Sequence, residues 1–375
     1  MTGPLIFGVA LDDAQEGWPG RNLLLEEMAA YGPVLLLERG RGPSPRAHPV
    51  IELIRENLYV MRGAVGRRLP RGNSLAQPAV ARIDARRIRG ELARYGWDSS
   101  VLWLTVADPH LRARFPGARM VYDCMDPNFE PEHQAAHDQR LGLILREAEL
   151  VFATALALRD DAVRFGATDV CLLPNAADTG ALSVDPALVN DWRRRLDLDG
   201  SKPVLGFLGT LDWRFDTDFA REVAVSNPDA VVLLAGRVNA DVRPKLADML
   251  TLPNVITTGQ LGYDDGYAVA SIFDLGLIPF SPGPMNDRIN SVKMFMYLQY
   301  GIPVLATQVA EAEANPFVET VGTDDDLTLA VRRLLASRDE PSRQVRRDFA
   351  AANTWAARAD QAHRVLAERG IWGTM

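Results

Sequence analysis

Cysteine is scarce in this sequence. Its 375 residues include two cysteines, Cys124 and Cys171, and each stands inside an apolar run typical of a strand. Two cysteines so placed provide neither a disulfide framework nor metal-ligand spacing. We therefore expect reduced core thiols and exclude a structural zinc.

Basic charge and long apolar runs are also lacking. The 41 basic side chains are outnumbered by 49 acidic ones, a net charge of −8, which argues against general nucleic-acid binding because that function uses a basic face. No apolar run approaches the roughly 20 residues needed to cross a bilayer. The first apolar run also lacks the positive segment that opens a secretory signal. We expect a cytoplasmic protein with small-molecule partners.

Short apolar runs alternate with helical patterns along the chain, and 47% of residues are hydrophobic, enough for two cores. Continuous apolar strands between helices indicate parallel sheets covered on both faces, which is a doubly wound α/β fold. The predicted strands are 5–11, 34–37, 101–106, 120–122, 150–153, 170–173, 203–208, 230–235, 255–258, 275–279 and 304–306. The predicted helices are 22–30, 75–95, 131–148, 216–225, 242–250, 263–271, 291–300, 324–336 and a long pattern over 341–369.

Asn, Asp, Pro and Gly cluster between residues 175 and 202, which predicts a domain boundary there. We place one Rossmann-like domain at 1–180 and a second at 181–354. The two domains are expected to face each other across a cleft.

The segment from Asn290 to Thr307 is the most informative in the chain. It places Lys293 at the start of a predicted helix that ends at Gly-Ile-Pro-Val before a buried strand. A helix N-terminus presents orphan backbone N–H groups and the positive end of the dipole, so a lysine there suits a diphosphate. Because Lys202 and Lys245 are the only other lysines, we favour this role over that of an exposed first-turn residue.

This segment resembles the Lys-Leu-Phe-Glu-Tyr-Leu-Ala-x-Gly-x-Pro-Val motif of glycosyltransferases with the two-Rossmann GT-B fold. Residues 206–210 (Gly-Phe-Leu-Gly-Thr), 252–263 and 273–280 resemble three further motifs of that family, in the same order. The resemblance implies a nucleotide-sugar donor site in the second domain. It also implies a final helix, at about 355–375, that packs back on the first domain.

The resemblance carries over to named positions of the donor site. A glycine turn lets a phosphate or sugar approach the backbone, the loop after Gly259 meets the base, and Tyr263 and Phe280 line the base pocket. The predicted donor-binding residues are Gly209, Thr210, Gly259, Leu261, Tyr263, Phe280, Arg288, Ser291 and Lys293.

The predicted acceptor site lies in the first domain. Trp18-Pro-Gly-Arg21 resembles an acceptor-facing loop of bacterial polysaccharide glycosyltransferases, and Leu173–Asp178 resembles the family's junction motif Ile-Pro-Asn-Gly-Val-Asp, with Ala176 in place of glycine. Trp18, Arg21 and His133 are the predicted acceptor contacts, with His133 alternatively a helix-surface residue.

A carboxylate after a first-domain strand is the expected general base. Ligands in doubly wound sheets bind beyond the carboxyl ends of the strands, and the strand near 120–122 ends in Val-Tyr-Asp-Cys-Met-Asp126. In related polysaccharide enzymes the aspartate matching Asp126 deprotonates the acceptor hydroxyl, a role that a partly buried carboxylate can fill. Asp123 is the second candidate. Either residue alternatively caps the following helix.

Two positions depart from the family pattern. Retaining members carry two glutamates eight positions apart, the second on the donor ribose, and here those positions are Arg288 and Met296. Retention of configuration is therefore not assumed. Arg288 could instead hold a phosphate or an acidic sugar, or be a solvated loop residue.

An arginine-rich segment interrupts the otherwise acidic first domain. Residues 55–94 contain ten arginines against Glu56, Asp84 and Glu91. On one face, these arginines would attract an anionic membrane that carries a lipid-linked acceptor. The alternative is a solvated basic helix.

The sequence therefore predicts a metal-independent glycosyltransferase that moves a sugar from a UDP-sugar to a saccharide or lipid-linked acceptor in polysaccharide or glycoconjugate synthesis. No cofactor is expected, since the nucleotide-sugar is a substrate. Two alternatives stay open: a nucleotide-sugar epimerase of the same fold, and a non-catalytic subunit that binds a nucleotide or scaffolds a partner.

Overall fold

A computed structural model describes residues 3–7, 20–37, 49–62, 77–97, 100–125, 134–322 and 326–372. The chain divides into two compact units. The N-terminal unit comprises Met1–Pro174 and Ala356–Met375, and the C-terminal unit comprises Asn175–Trp355.

The N-terminal unit is built on an eight-stranded sheet. Its strands are β1 (Leu5–Phe7), β2 (Val34–Leu37), β3 (Val50–Arg55), β4 (Leu58–Arg62), β5 (Val101–Leu104), β6 (Arg119–Cys124), β7 (Leu150–Ala153) and β8 (Val170–Leu172). They lie in the order β3-β4-β2-β1-β5-β6-β7-β8, and every pair is parallel except the antiparallel β3–β4 hairpin. The helices before the boundary are α1 (Gly20–Met28), α2 (Gln77–Arg94), α3 (Pro109–Arg112), α4 (Gln134–Glu147) and α5 (Leu156–Arg164).

The C-terminal unit is built on a six-stranded, wholly parallel sheet. Its strands are β9 (Val204–Leu208), β10 (Val231–Ala235), β11 (Val255–Gly259), β12 (Leu275–Ile278), β13 (Val304–Thr307) and β14 (Val318–Val321), in the order β11-β10-β9-β12-β13-β14. Its helices are α6 (Pro186–Arg195), α7 (Thr217–Ser226), α8 (Arg243–Leu246), α9 (Tyr263–Ala270), α10 (Val292–Gln299), α11 (Ala310–Glu313), α12 (Leu327–Ala336) and α13 (Glu340–Ala352).

The last helix, α14 (Trp355–Glu368), begins at the boundary and packs within the N-terminal unit. Gln361 Nε2 donates to the Leu172 carbonyl at 2.8 Å, and Trp372 Nε1 donates to the Gly3 carbonyl at 3.1 Å. These hydrogen bonds connect the C-terminal segment to residues near both ends of Met1–Pro174.

The central strands agree with the apolar runs from which they were predicted. β5, β7, β9, β12 and β13 are buried at every position, as parallel strands covered on both faces must be. This confirms the predicted doubly wound α/β class.

Several elements differ from the prediction. The β3–β4 hairpin was not predicted, because Val-Ile-Glu-Leu-Ile-Arg in β3 is neither a continuous apolar run nor a strict alternation. The helix expected over 242–250 is the single turn α8 followed by a 3₁₀ turn at Met249–Thr251. The helix expected over 341–369 is two helices, because Asn353 leaves the helical region and Thr354 forms a parallel bridge with Ala177. Within the described ranges, no helix is both long and apolar enough to span a bilayer.

Candidate functional site

Two glycine turns meet at the carboxyl ends of β9 and β10. Gly209 has φ +145° and Gly236 has φ +140°, conformations that residues with a Cβ rarely adopt. A Cβ on Gly236 would lie 2.1 Å from the Gly209 carbonyl oxygen, so a side chain there is sterically excluded. The two glycines therefore allow the turns to pack in direct contact with each other.

Lys293 lies directly over the first of these turns. A Cβ on Gly209 would lie 2.6 Å from Cε and 3.0 Å from Nζ of Lys293. The ammonium is 5.4 Å from the ring centroids of both Phe207 and Phe280, within cation–π range. Phe280 is 6% exposed. Its ring therefore supports the lysine, and its role in lining a base pocket stays a prediction.

The positive charge of Lys293 helps to lower the pKa of a neighbouring carboxylate, Asp212. Burial raises the pKa of Asp212, but hydrogen bonds from Arg214 and the charges of Arg214 and Lys293 outweigh burial and hold the pKa below its usual value. Arg214 Nη2 donates to Asp212 Oδ2 at 2.6 Å, and its backbone N–H donates to Oδ1 at 3.0 Å. Asp212 therefore stays ionised near the lysine.

The N-terminus of α10 lacks a side-chain cap. Ser291 occupies the N-cap position, where a serine hydroxyl usually accepts a bond from a backbone N–H of the first turn, but it makes no such bond here. The residue is 6% exposed, and Oγ has no hydrogen-bond partner among the described residues. A buried hydroxyl without a partner is costly, so this end of α10 has the character of a site prepared for a ligand.

Amide side chains hold the strand-to-helix segment that precedes Ser291. Asn290 Oδ1 accepts from the Asn175 backbone N–H at 3.0 Å, and Asn290 Nδ2 donates to Glu311 Oε2 at 2.8 Å. These bonds give a role to Asn175 of the junction motif, which fixes the entry to α10.

Tyr297 anchors α10 on the sheet. It is fully buried, and its hydroxyl accepts from the Leu208 backbone N–H at 3.0 Å. Its ring lies over Gly276 of β12, where a Cβ would be 2.2 Å from the ring. The glycine therefore sets the depth of α10 and, through it, the position of Lys293.

We expect Gly276→Ala to destabilise the C-terminal unit by about 1–3 kcal/mol, because the added methyl overpacks a rigid ring. Displacement of Tyr297 should also weaken nucleotide binding. Chemical denaturation checks the first effect and calorimetric titration with UDP the second. Gly180→Ala is the control, since its Cβ would meet no atom closer than 3.4 Å. Equal stability of the two variants would contradict the proposed anchor.

The predicted base loop runs from Gly259 to Tyr263. Gly259 has φ +72°, and Leu261 is half-buried. The Tyr263 hydroxyl donates to Asp178 Oδ2, which also accepts from Tyr267 at 3.0 Å. Burial and the Asp178 carboxylate raise the pKa of both phenols. Asp178 therefore fixes the start of α9 and the end of this loop, a role that the sequence analysis missed.

Arg288 lies in a 3₁₀ turn at Asn286–Arg288, where its guanidinium donates to the Pro284 carbonyl. Met296 is 4% exposed on the buried side of α10. Thr210 directly follows Gly209 and is half-buried.

Two predicted residues of the N-terminal unit form a buried ion pair with each other. Arg21 Nη2 is 2.9 Å from Asp123 Oδ1, and the side chains are 4% and 0% exposed. Trp103 Nε1 donates to Asp123 Oδ2, and Arg21 donates to the Leu173 carbonyl at 2.8 Å. Burial raises the pKa of Asp123, opposed by Arg21 and Trp103. These contacts engage both charged groups with protein partners. The catalytic role of Asp123 and the acceptor role of Arg21 stay predictions.

Asp126, Trp18 and His133 lie outside the described residues, as do Arg67, Arg68 and Arg71 of the arginine-rich segment. Among the residues that are described, no group of three His, Cys, Asp or Glu side chains is arranged to hold a metal ion.

No protein-family model matches the sequence. A curated relative, "Putative teichuronic acid biosynthesis glycosyltransferase TuaH" of Bacillus subtilis (strain 168), is 31% identical over 160 residues, and the match covers 40% of this chain and 40% of that protein. The chain therefore matches less than half the length of this relative.

Solved structures resemble nearly the whole chain. Sucrose-phosphate synthase from Thermosynechococcus elongatus has a TM-score of 0.72 at 18% identity and covers 98% of this chain and 99% of its own. HepE of Anabaena in complex with UDP has a TM-score of 0.66 at 15% identity and covers 98% and 100%. These similarities confirm the predicted GT-B fold of two Rossmann-like domains.

Proposed function

We propose that this chain is a glycosyltransferase that transfers a sugar from a nucleoside diphosphate donor, a UDP-sugar, to a saccharide or lipid-linked acceptor in polysaccharide or glycoconjugate assembly. The observation that carries the proposal is the convergence of the Gly209 turn, Lys293 and the uncapped Ser291 end of α10. The named pathway of TuaH and the UDP bound to HepE support this donor and acceptor class.

The chemistry follows from where charge develops. When the sugar–phosphate bond breaks, negative charge accumulates on the leaving diphosphate. The Lys293 ammonium, the Ser291 hydroxyl and the first N–H groups of α10 are preorganised donors for that charge. Together they fill the role that a metal ion has in other transferases, so transfer is proposed to be metal-independent.

The acceptor hydroxyl must lose its proton as it attacks. Because Asp123 is engaged by Arg21 and Trp103, the proposed general base is Asp126 alone. This assignment rests on the resemblance of residues 121–126 to related polysaccharide enzymes and on sequence position, since Asp126 follows the last residue of β6, Cys124, by two.

Release of nucleoside diphosphate tests the proposed function. The purified chain is incubated in EDTA with UDP-, GDP-, ADP- and TDP-glucose, with and without a mixture of saccharide acceptors. Acceptor-dependent release of one diphosphate supports the transferase. Conversion of the donor to an epimer would support the epimerase instead, and tight UDP binding without turnover the non-catalytic subunit.

We also propose that the N-terminal unit contacts an anionic membrane peripherally. The edge strand β3 exposes Val50, Leu53 and Ile54 at 48%, 61% and 54%. Tyr95, at the end of α2, donates to the Ile51 carbonyl at 2.8 Å, so this apolar edge adjoins the basic helix. The exposed arginines of α2 are Arg82, Arg86, Arg89 and Arg94. Apolar side chains beside basic ones suit an anionic lipid surface.

Co-sedimentation with vesicles checks the membrane proposal. We expect binding to vesicles with 30% phosphatidylglycerol to exceed binding to pure phosphatidylcholine, and Leu53→Glu with Ile54→Glu to reduce it at least fivefold, because two charges replace the apolar contact. Leu182→Glu, on an equally exposed apolar residue of the C-terminal unit, is the control. Equal binding of wild type and double variant would refute the proposal.

A further inference from the structure

A half-exposed tryptophan stands on the loop that follows the Gly209 turn. Trp213 is 50% exposed, three residues after Thr210. We propose that Trp213 is a stacking platform for the pyranose ring of a saccharide substrate beside the diphosphate site. This inference rests on the proposed function and adds to it a residue for sugar recognition.

The loop that carries Trp213 is held on both sides by backbone bonds. The Leu211 N–H donates to the Arg237 carbonyl at 2.8 Å, and the Ser281 N–H donates to the Arg214 carbonyl at 2.8 Å. Phe215 and Phe280 form an antiparallel bridge. The indole is therefore presented by a rigid segment, which lowers the entropy lost when a ligand packs on it.

The side chains on either side of Trp213 are turned inward. Asp212 is 7% exposed and Phe215 is 4% exposed, and Arg214 forms the bidentate pair with Asp212. Trp213 is half exposed while Asp212 and Phe215 are buried, so this segment presents part of the indole at the surface.

Trp213 follows closely on the proposed diphosphate site. Lys293 lies over the Gly209 turn, and Trp213 is four residues after Gly209. The sugar of a nucleotide-sugar is bonded to the terminal phosphate, so a pyranose ring must lie within one sugar's length of the group that binds that phosphate. The attacking acceptor sugar must approach the same carbon.

The surface of a pyranose ring complements the surface of an indole ring. One face of a pyranose presents C–H groups and its rim presents hydroxyls, while indole presents an apolar face and one N–H donor. Stacking on an aromatic side chain is worth about 1–3 kcal/mol when measured by alanine substitution for nucleic-acid bases. We expect the effect on a sugar to be at the lower end, about tenfold in affinity.

The test measures binding of the sugar separately from binding of the diphosphate. Calorimetric titration gives the Kd for UDP and for a panel of UDP-glucose, UDP-galactose, UDP-N-acetylglucosamine and UDP-glucuronic acid. Saturation-transfer NMR with methyl glucosides, maltose and cellobiose, added to UDP-saturated protein, reports acceptor-type binding. Wild type is compared with Trp213→Ala, with Trp213→Phe, and with Leu250→Ala, a control at a similarly exposed apolar residue of the same unit.

We expect every variant to bind UDP within twofold of wild type. Trp213→Ala should lose about tenfold in affinity for the bound UDP-sugar, if the platform holds the donor sugar, or lose the saccharide signal, if it holds the acceptor. Trp213→Phe should retain most of either effect. Unchanged UDP-sugar affinity and saccharide signal in Trp213→Ala would overturn the platform while the donor site stands. Absence of UDP binding in wild type would overturn the proposed function, and a saccharide signal that depends on Trp213 would then still support the platform.

Discussion

We expect Lys293→Ala to lower kcat for sugar transfer by about 10²–10³-fold, because removal of one preorganised donor to a developing oxyanion has this effect in other enzymes. The lysine lies over the Gly209 turn with its ammonium between two aromatic rings. In the proposed donor site this ammonium would neutralise charge on the leaving diphosphate. Steady-state release of diphosphate from the best donor measures the effect.

Two further variants separate charge from packing. Lys293→Met keeps an unbranched chain over Gly209 and should lose activity as Lys293→Ala does. Lys245→Ala removes an exposed lysine of the same unit and should retain activity within twofold. If Lys293→Met were as active as wild type, the charge of Lys293 would have no part in catalysis.

The second large effect concerns stability. We expect Arg21→Ala to destabilise the N-terminal unit by about 3–5 kcal/mol, because it leaves Asp123 buried without its charged partner. It also removes the donor to the Leu173 carbonyl. The thermal midpoint of this unit should fall by on the order of 10 °C. Asp123→Ala should have an effect of similar size.

A double replacement distinguishes the contribution of the Arg21–Asp123 charges from that of the volume that the two side chains fill. Arg21→Met with Asp123→Leu exchanges a buried ion pair for apolar side chains, an exchange that is often neutral or stabilising. It should recover much of the stability lost by either single variant. Arg94→Ala breaks an exposed pair with Glu91 and should cost no more than about 1 kcal/mol. A single variant at Arg21 that unfolds together with wild type would contradict the account of this pair.

Much of the fold follows from local pattern. Runs such as Val101–Leu104 and Leu275–Ile278 are apolar at nearly every position, and a strand with both faces covered needs that composition. β3 was missed because its sequence, Val-Ile-Glu-Leu-Ile-Arg, pairs apolar residues between charged ones and so matches neither the alternating nor the continuous strand pattern.

The donor half of the site was partly predictable. Gly209, Ser291 and Lys293 have local signals, because a glycine after a strand and a lysine at a helix start are visible in the sequence. Tyr297 and Asp178 have no such signal. Tyr297 matters through the Leu208 N–H, 89 positions away, and Asp178 through Tyr263, 85 positions away.

Asp123 shows why a position at the end of a strand is not enough to identify a catalytic carboxylate. It lies at the carboxyl end of β6 as predicted, but its side chain alternates with that of Tyr122 and is fully buried. Its partner Arg21 is 102 positions away. Only the fold brings a guanidinium to that carboxylate, so the sequence alone could not distinguish a structural aspartate from a catalytic one.

The most direct test is a crystal structure of the chain with UDP, grown in EDTA. The account predicts that the diphosphate lies at the N-terminus of α10, with Lys293 Nζ and Ser291 Oγ within about 3 Å of phosphate oxygens and the Gly209 turn beside it. A diphosphate bound elsewhere on the chain, with Ser291 Oγ still lacking a partner, would contradict the account.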